Sequence, residues 1–161
     1  MVILMMDTSN LVLDSFDFVL QIWEVVFEPD PKDPTKTTSK VATCGGNSIC
    51  IVDVNNGTVL MKYKHKDLKE NFYTLAWTTL TFNGDEKSNI LVSGGIRGEV
   101  RMFHPQNKVC FHEWRPVDKK GIAVNSLIFH SEKNTWLFCK LFLHFIYVQF
   151  TSFRVQISQA P

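Results

Sequence analysis

Phe72-Tyr73-Thr74-Leu75-Ala76-Trp77 carries a large apolar residue first, an aliphatic residue fourth and an aromatic residue sixth. The same spacing stands earlier in Ile22-Trp23-Glu24-Val25-Val26-Phe27 and later in Val124-Asn125-Ser126-Leu127-Ile128-Phe129. The closing aromatics fall at positions 27, 77 and 129, at intervals of 50 and 52 residues. A fixed period of this size marks a repeat architecture, in which one small unit recurs and buries its faces against its neighbours.

Outward from these landmarks, each unit continues with two β-prone runs joined through a glycine pair. Val41-Ala42-Thr43-Cys44-Gly45-Gly46 leads into Ile49-Cys50-Ile51-Val52-Asp53, and Leu91-Val92-Ser93-Gly94-Gly95 leads into Val100-Arg101-Met102-Phe103-His104. Glycine there suits a tight turn or a close approach of two backbones. A fourth run follows each time: Thr58-Val59-Leu60-Met61-Lys62-Tyr63 after Asn55-Asn56-Gly57, and Val109-Cys110-Phe111-His112-Glu113-Trp114 after Pro105-Gln106-Asn107. Asn-Gly is a strong hairpin signal because it supplies the positive φ values the turn requires.

Four short antiparallel strands per unit predict an all-β fold, a partial WD-repeat β-propeller. A helical repeat would space its apolar residues at 3.6, and a sandwich has no reason to repeat. Residues 20–139 read as propeller blades, two complete four-stranded blades plus an incomplete third. Residues 1–19 read as an N-terminal extension and 140–161 as a divergent C-terminal tail without a glycine turn. A strand hidden at 145–150 is the alternative for that tail. The excess over a compact repeat is expected in polar loops at 29–40, 81–89 and 65–71.

The name-giving Trp-Asp dipeptide is absent, as is Gly-His; Asp53 follows Val52 and His104 follows Phe103. The blades are therefore expected to rely on packing rather than on a polar tetrad. Arg97 and Arg101 read as a solvated face or an ion pair between blades. Lys62, Lys64, Lys66 and Lys69 read as solvated, diluted by Asp67 and Glu70.

A formal net charge of +1 leaves no basic excess to drive counterion release, so direct nucleic-acid binding is not expected. Cys44, Cys50, Cys110 and Cys139 form no C-x-x-C pair and read as reduced thiols of an intracellular protein, with no metal site. Asp7 ends the apolar start of the chain, and no basic region precedes it, so no secretory signal is expected. Lys140 and His144 interrupt the apolar run at 136–150, which is too short to span a bilayer. The five histidines are scattered, and the glycine pairs lack a phosphate-cradling pattern. These readings predict no enzyme, no cofactor and no small-molecule substrate.

The segments Trp23 to Pro29, Val41 to Gly46, Val59-Leu60-Met61-Lys62-Tyr63-Lys64, Phe72 to Leu80 and Gly95-Ile96-Arg97-Gly98-Glu99-Val100-Arg101 follow one another in a recognisable order. Together they resemble the propeller of the leucine-rich repeat and WD repeat-containing family that associates with the origin recognition complex. More distantly, Glu70-Asn71-Phe72-Tyr73-Thr74 and Ala76-Trp77 are similar to the Polycomb propeller called embryonic ectoderm development. The resemblance implies a chromatin-associated interaction scaffold in the nucleus that reads repressive histone lysine methylation. Its implied partners are histone tails and origin recognition complex subunits, at heterochromatin and in the initiation of DNA replication. The alternatives are a generic WD-repeat scaffold of another complex and a truncated product without independent function.

Trp23 and Tyr73 stand second in their six-residue patterns, expected on the strand that lines a propeller's channel. In the Polycomb relative these positions resemble members of a methyl-lysine cage. Two rings from adjacent blades would form half of such a cage, since a cation over an aromatic face gains roughly 0.5–2 kcal/mol. The competing reading wedges both rings between blades as packing. Asn125 holds the third equivalent position and is no cage wall.

Overall fold

The computed structural model describes residues 21–82, 86–133, 135–141, 145–151 and 154–159. The expected extension at 1–19 lies outside the described residues. Strands β1 (Glu24–Pro29), β2 (Thr37–Gly45), β3 (Ser48–Asp53) and β4 (Thr58–Lys64) form the first antiparallel sheet. The second contains β5 (Phe72–Phe82), β6 (Glu86–Gly95), β7 (Val100–His104) and β8 (Val109–Trp114). The third contains β9 (Val124–Phe129), β10 (Trp136–Leu141), β11 (Phe145–Thr151) and β12 (Arg154–Gln159). Within every sheet the strands neighbour one another in chain order, as in a propeller blade.

Two features differ from the sequence expectation. The third sheet has four strands: β11 lies where the alternative reading put a strand at 145–150, and β12 lies in the stretch read as a divergent tail. No glycine pair or Asn-Gly turn announces them; the surviving signal is alternation, with Ile146, Val148 and Phe150 buried and Phe145, Tyr147 and Gln149 less so. The expected loop at 81–89 is instead mostly ladder, in which Leu80 pairs with Ser88 and Thr81 with Lys87. Thr79 Oγ1 donates to Asn89 Oδ1 at 2.7 Å within the ladder, and Asn89 Nδ2 donates across to the Pro29 carbonyl of β1 at 2.7 Å.

Strand alternation sends successive side chains to opposite faces, and the middle sheet uses both. Leu75, Leu91 and Phe103 pack against Ala42, Cys44, Ile49, Ile51 and Met61 of the first sheet. Ala76, Ile90, Val92 and Met102 pack against Leu127, Leu137, Cys139, Ile146 and Val148 of the third. The first strands β1, β5 and β9 lie side by side and are tied across the sheets. The Glu24 carboxylate accepts from the Leu75 N–H, Trp77 Nε1 donates to the Val26 carbonyl at 3.3 Å, and the Leu127 N–H donates to Thr74 Oγ1 at 3.1 Å. The outer faces of the first and third sheets carry exposed Val25, Phe27 and Val59, and exposed Ile128, Phe138 and Phe145.

The period is visible in backbone contacts as well. A Cβ on Gly45 would strike the Gln21 carbonyl, and a Cβ on Gly95 would strike the Asn71 carbonyl, both pairs displaced by 50 residues. The chain entering each first strand therefore crosses directly over the turn that follows its second strand. Only glycine leaves room for that crossing.

Packing is joined by a buried ionic cluster in the middle sheet. Arg101 of β7 has no exposed surface, and its guanidinium donates to Glu70 at 2.8 Å, to Glu113 at 2.6 Å and to Glu99. Its Nη2 also lies 3.2 Å from His65 Nε2, and His65 Nδ1 accepts from the Asp67 N–H at 3.1 Å. Arg97 bonds Asp67, and Arg115 bonds Glu99. Burial pulls the Arg101 pKa down, but Glu70, Glu113 and Glu99 outweigh it and hold the value above that of an ordinary arginine. Arg101 is thus a buried ion pair and not a solvated face, joining β7 and β8 to the segment that links the first two sheets.

Two substitutions test these contacts. Gly95→Ala should lower stability by about 1–3 kcal/mol, because the obstacle is backbone and cannot rotate away. Arg101→Ala should cost about 3–5 kcal/mol by stranding Glu70 and Glu99 in the interior, whereas Arg97→Ala, at a partly exposed pair, should cost under about 1 kcal/mol. Denaturant unfolding measures all three; equal effects for the two arginines would contradict the cluster.

Candidate functional site

Tyr73 is the extra residue of a β-bulge: Phe72 pairs with Gly95 and Thr74 with Gly94, leaving Tyr73 without a cross-strand partner in β5. A bulge bends its strand and re-aims the side chain it carries. Phe72 and Thr74 are buried, while the Tyr73 ring is partly exposed. Trp23 immediately precedes β1 and is held there by its N–H, which donates to the Cys44 carbonyl at 2.9 Å. Its indole Nε1 donates to Asn71 Oδ1 at 3.0 Å, across to the neighbouring blade.

The two rings meet edge to face, with centroids 5.3 Å apart and planes at 79°. Trp23 retains 46% of its surface, so the pair is an open corner and not a buried wedge. Perpendicular aromatic walls on an open surface offer a π face to a cation, and the Asn71 bond fixes the indole that supplies it. Glu24, next along the chain, adds a carboxylate near the strand start. Asn125, third in the repeat series, is exposed on β9 and contributes a polar group instead of a ring.

The sequence placed Trp23 and Tyr73 in equivalent positions, and the fold brings them together. It gave no sign of Asn71 as the residue that orients the indole, since the contact spans 48 residues. Only the repeat could have found it, because Asn71 occupies the place of Gln21 one unit earlier.

The other chemistry-bearing cluster is His65, Glu70 and Glu99, whose ligand atoms lie within 4.8 Å of one another. Arg101 bonds both carboxylates and lies 3.2 Å from the imidazole, so a guanidinium already supplies the positive charge that a cation would bring. The cysteines are free thiols. Burial pushes Cys44 and Cys139 up to about 12, with the Glu24 carboxylate adding to the effect at Cys44, so both stay protonated and poorly nucleophilic at neutral pH. Among the described residues, no helix is long and apolar enough to cross a membrane.

Comparison with known proteins places this geometry in a family. Residues 6–160 match the model of the WD domain of leucine-rich repeat and WD repeat-containing protein 1. The chain is 41% identical over 126 residues to the Xenopus laevis protein of that name, and 38% identical over 126 residues to the Homo sapiens one. Each alignment covers 76% of this chain and 16% or 18% of the relative, so the chain spans less than a fifth of the curated relatives it matches. Among solved structures it is similar to the Cps50 (Swd1) β-propeller domain of Myceliophteria thermophila, at a TM-score of 0.62 and 15% identity over 88% of this chain and 40% of that one. It is likewise similar to Saccharomyces cerevisiae Sqt1, at a TM-score of 0.64 and 15% identity over 86% of this chain and 34% of that one. The structural likeness establishes the propeller fold, and the sequence match establishes the kinship: this chain belongs to the WD-domain family of leucine-rich repeat and WD repeat-containing protein 1.

Proposed function

We propose that this chain is an interaction scaffold of nuclear chromatin, in which Trp23 and Tyr73 form two walls of a cage for a trimethylated lysine in a histone tail. The observation that carries this reading is the open, edge-to-face pair of rings contributed by adjacent blades and fixed by Asn71. A trimethylammonium has no N–H to donate, so a site that selects it uses π faces instead of carboxylate acceptors. Two perpendicular rings suit that demand better than the buried acidic cluster, whose acceptors are already engaged by Arg101. Kinship with the leucine-rich repeat family supports a wider role, in which the protein recruits or stabilises the origin recognition complex on heterochromatin when DNA replication begins.

Each wall contributes roughly 0.5–2 kcal/mol. Trp23→Ala and Tyr73→Ala should therefore each weaken binding to a trimethylated histone H3 peptide roughly two- to thirtyfold. The unmethylated peptide should bind the wild type less tightly and respond little to either substitution. Titration calorimetry with both peptides measures this, alongside a circular dichroism spectrum to show that the strands persist. Unchanged affinity in both variants would reject the cage and leave a scaffold that uses another surface.

A further inference from the structure

The sheet edge opposite the first strands carries a second feature, in the cleft between the outer parts of the first two blades. A groove of about 370 Å³ runs there, lined by Ile51, Leu60, Met61, Pro105, Lys40 and Lys108 among others. It is formed by the outermost strand of one blade and the β7–β8 turn of the next.

Three observations set this groove apart from an ordinary cleft between loops. Leu60 and Met61 are consecutive strand residues and would normally point to opposite faces. Thr58 and Val59 line it with them, so the groove follows the edge of β4 across the bulge at Leu60, where Ile51 pairs with Met61 and Val52 with Val59. Next, among the described residues β4 pairs only with β3, so its other side is a sheet edge open to an added strand. Last, Lys108 sits at a φ of 55°, a conformation that side chains with a Cβ adopt at a cost. The equivalent turn of the first blade has Gly57 there, at a φ of 72°. A lysine therefore stands where the local backbone calls for glycine, and it lines the groove. Strain of this kind is retained where the surroundings or a function require it.

The charges indicate the occupant. Lys40 is shared with the buried Glu28 carboxylate at 3.2 Å, whereas no carboxylate among the described residues lies within ion-pair distance of Lys108. The lining is otherwise largely apolar, which disfavours a bare phosphate backbone. An apolar floor, an open strand edge and an uncompensated ammonium fit one class of ligand. We propose that this groove binds an extended acidic peptide segment of a partner protein. The segment adds to β4 as a further strand, sets an apolar side chain against Leu60, Met61 and Pro105, and gives a carboxylate to Lys108. This site is separate from the aromatic pair, and neither proposal depends on the other.

The test uses the full chain and a fluorescent, blocked peptide repeating valine-threonine-glutamate-threonine, which sets valine and glutamate on one face of a strand, beside a counterpart carrying lysine in place of glutamate. Anisotropy titration should detect binding of the glutamate peptide and none of the lysine peptide. Lys108→Gly should weaken that binding by about tenfold while raising the thermal midpoint by about 2–4 °C, because glycine relieves the left-handed backbone. Lys108→Asn, which tolerates the same backbone without the charge, should lose as much affinity. The proposal is overturned if the glutamate peptide does not bind, if both variants bind it as the wild type does, if the lysine peptide binds equally, or if a single-stranded oligonucleotide displaces it.

Discussion

Leu75, Leu91 and Phe103 leave one face of the middle sheet for the first hydrophobic cluster, and Ala76, Ile90, Val92 and Met102 leave the other face for the second. Everything else in the molecule follows from this double burial. A four-stranded sheet with one covered face is a marginal object, whereas a sheet clamped on both sides gains from two interfaces at the usual packing distance. The demand for two apolar faces explains the adjacent apolar residues Leu75-Ala76 in β5, Ile90-Leu91-Val92 in β6 and Met102-Phe103 in β7, which divide between the two clusters. The crossings over Gly45 and Gly95 are made within each blade, whereas a Cβ on Gly94 would strike Val124 of β9, so glycine there lets the second and third sheets meet closely.

The ionic cluster around Arg101 is laid over that packing. A buried guanidinium loses much solvation, and the loss is offset only when its donors are matched by acceptors in good geometry. Glu70, Glu99 and Glu113 supply those acceptors, and Glu70 comes from the segment joining the first two sheets. Arginine suits the position because its planar fork bonds several partners at once, which an ammonium cannot do in the same arrangement. In a chain without the Trp-Asp and Gly-His dipeptides, this cluster is the polar device that joins a linker segment to a strand interior. The same placement keeps Asn71, one residue beyond Glu70, beside the indole of Trp23.

Much of this was legible in the sequence, and the reason is periodicity. The apolar pattern at 27, 77 and 129 located the first strand of each blade, and the glycine pairs and Asn55-Asn56-Gly57 located the turns. The third blade was legible only in its first half, because the signals sought for the rest were turn residues, which β11 and β12 lack. Long-range polar contacts were not legible at all: Arg101 meets Glu70 across 31 residues and His65 across 36, and no local spacing encodes either. At the aromatic pair, the repeat gave the equivalence of Trp23 and Tyr73, while the bulge that turns Tyr73 outward depends on pairing register. Lys108 is an intermediate case, since aligning the two turns sets it against Gly57, but its strain is visible only in the backbone angle.

If double burial is the constraint on which the chain depends, its strands should differ in how firmly they resist opening. Native-state hydrogen exchange read strand by strand is the direct measurement, since protection reports the free energy of local opening. Amides of β5, β6 and β7 should exchange slowest, with protection falling towards β1 and β2 on one side and towards β11 and β12 on the other. Uniform protection across the three sheets, or a maximum in the third, would contradict an architecture built outward from its middle blade.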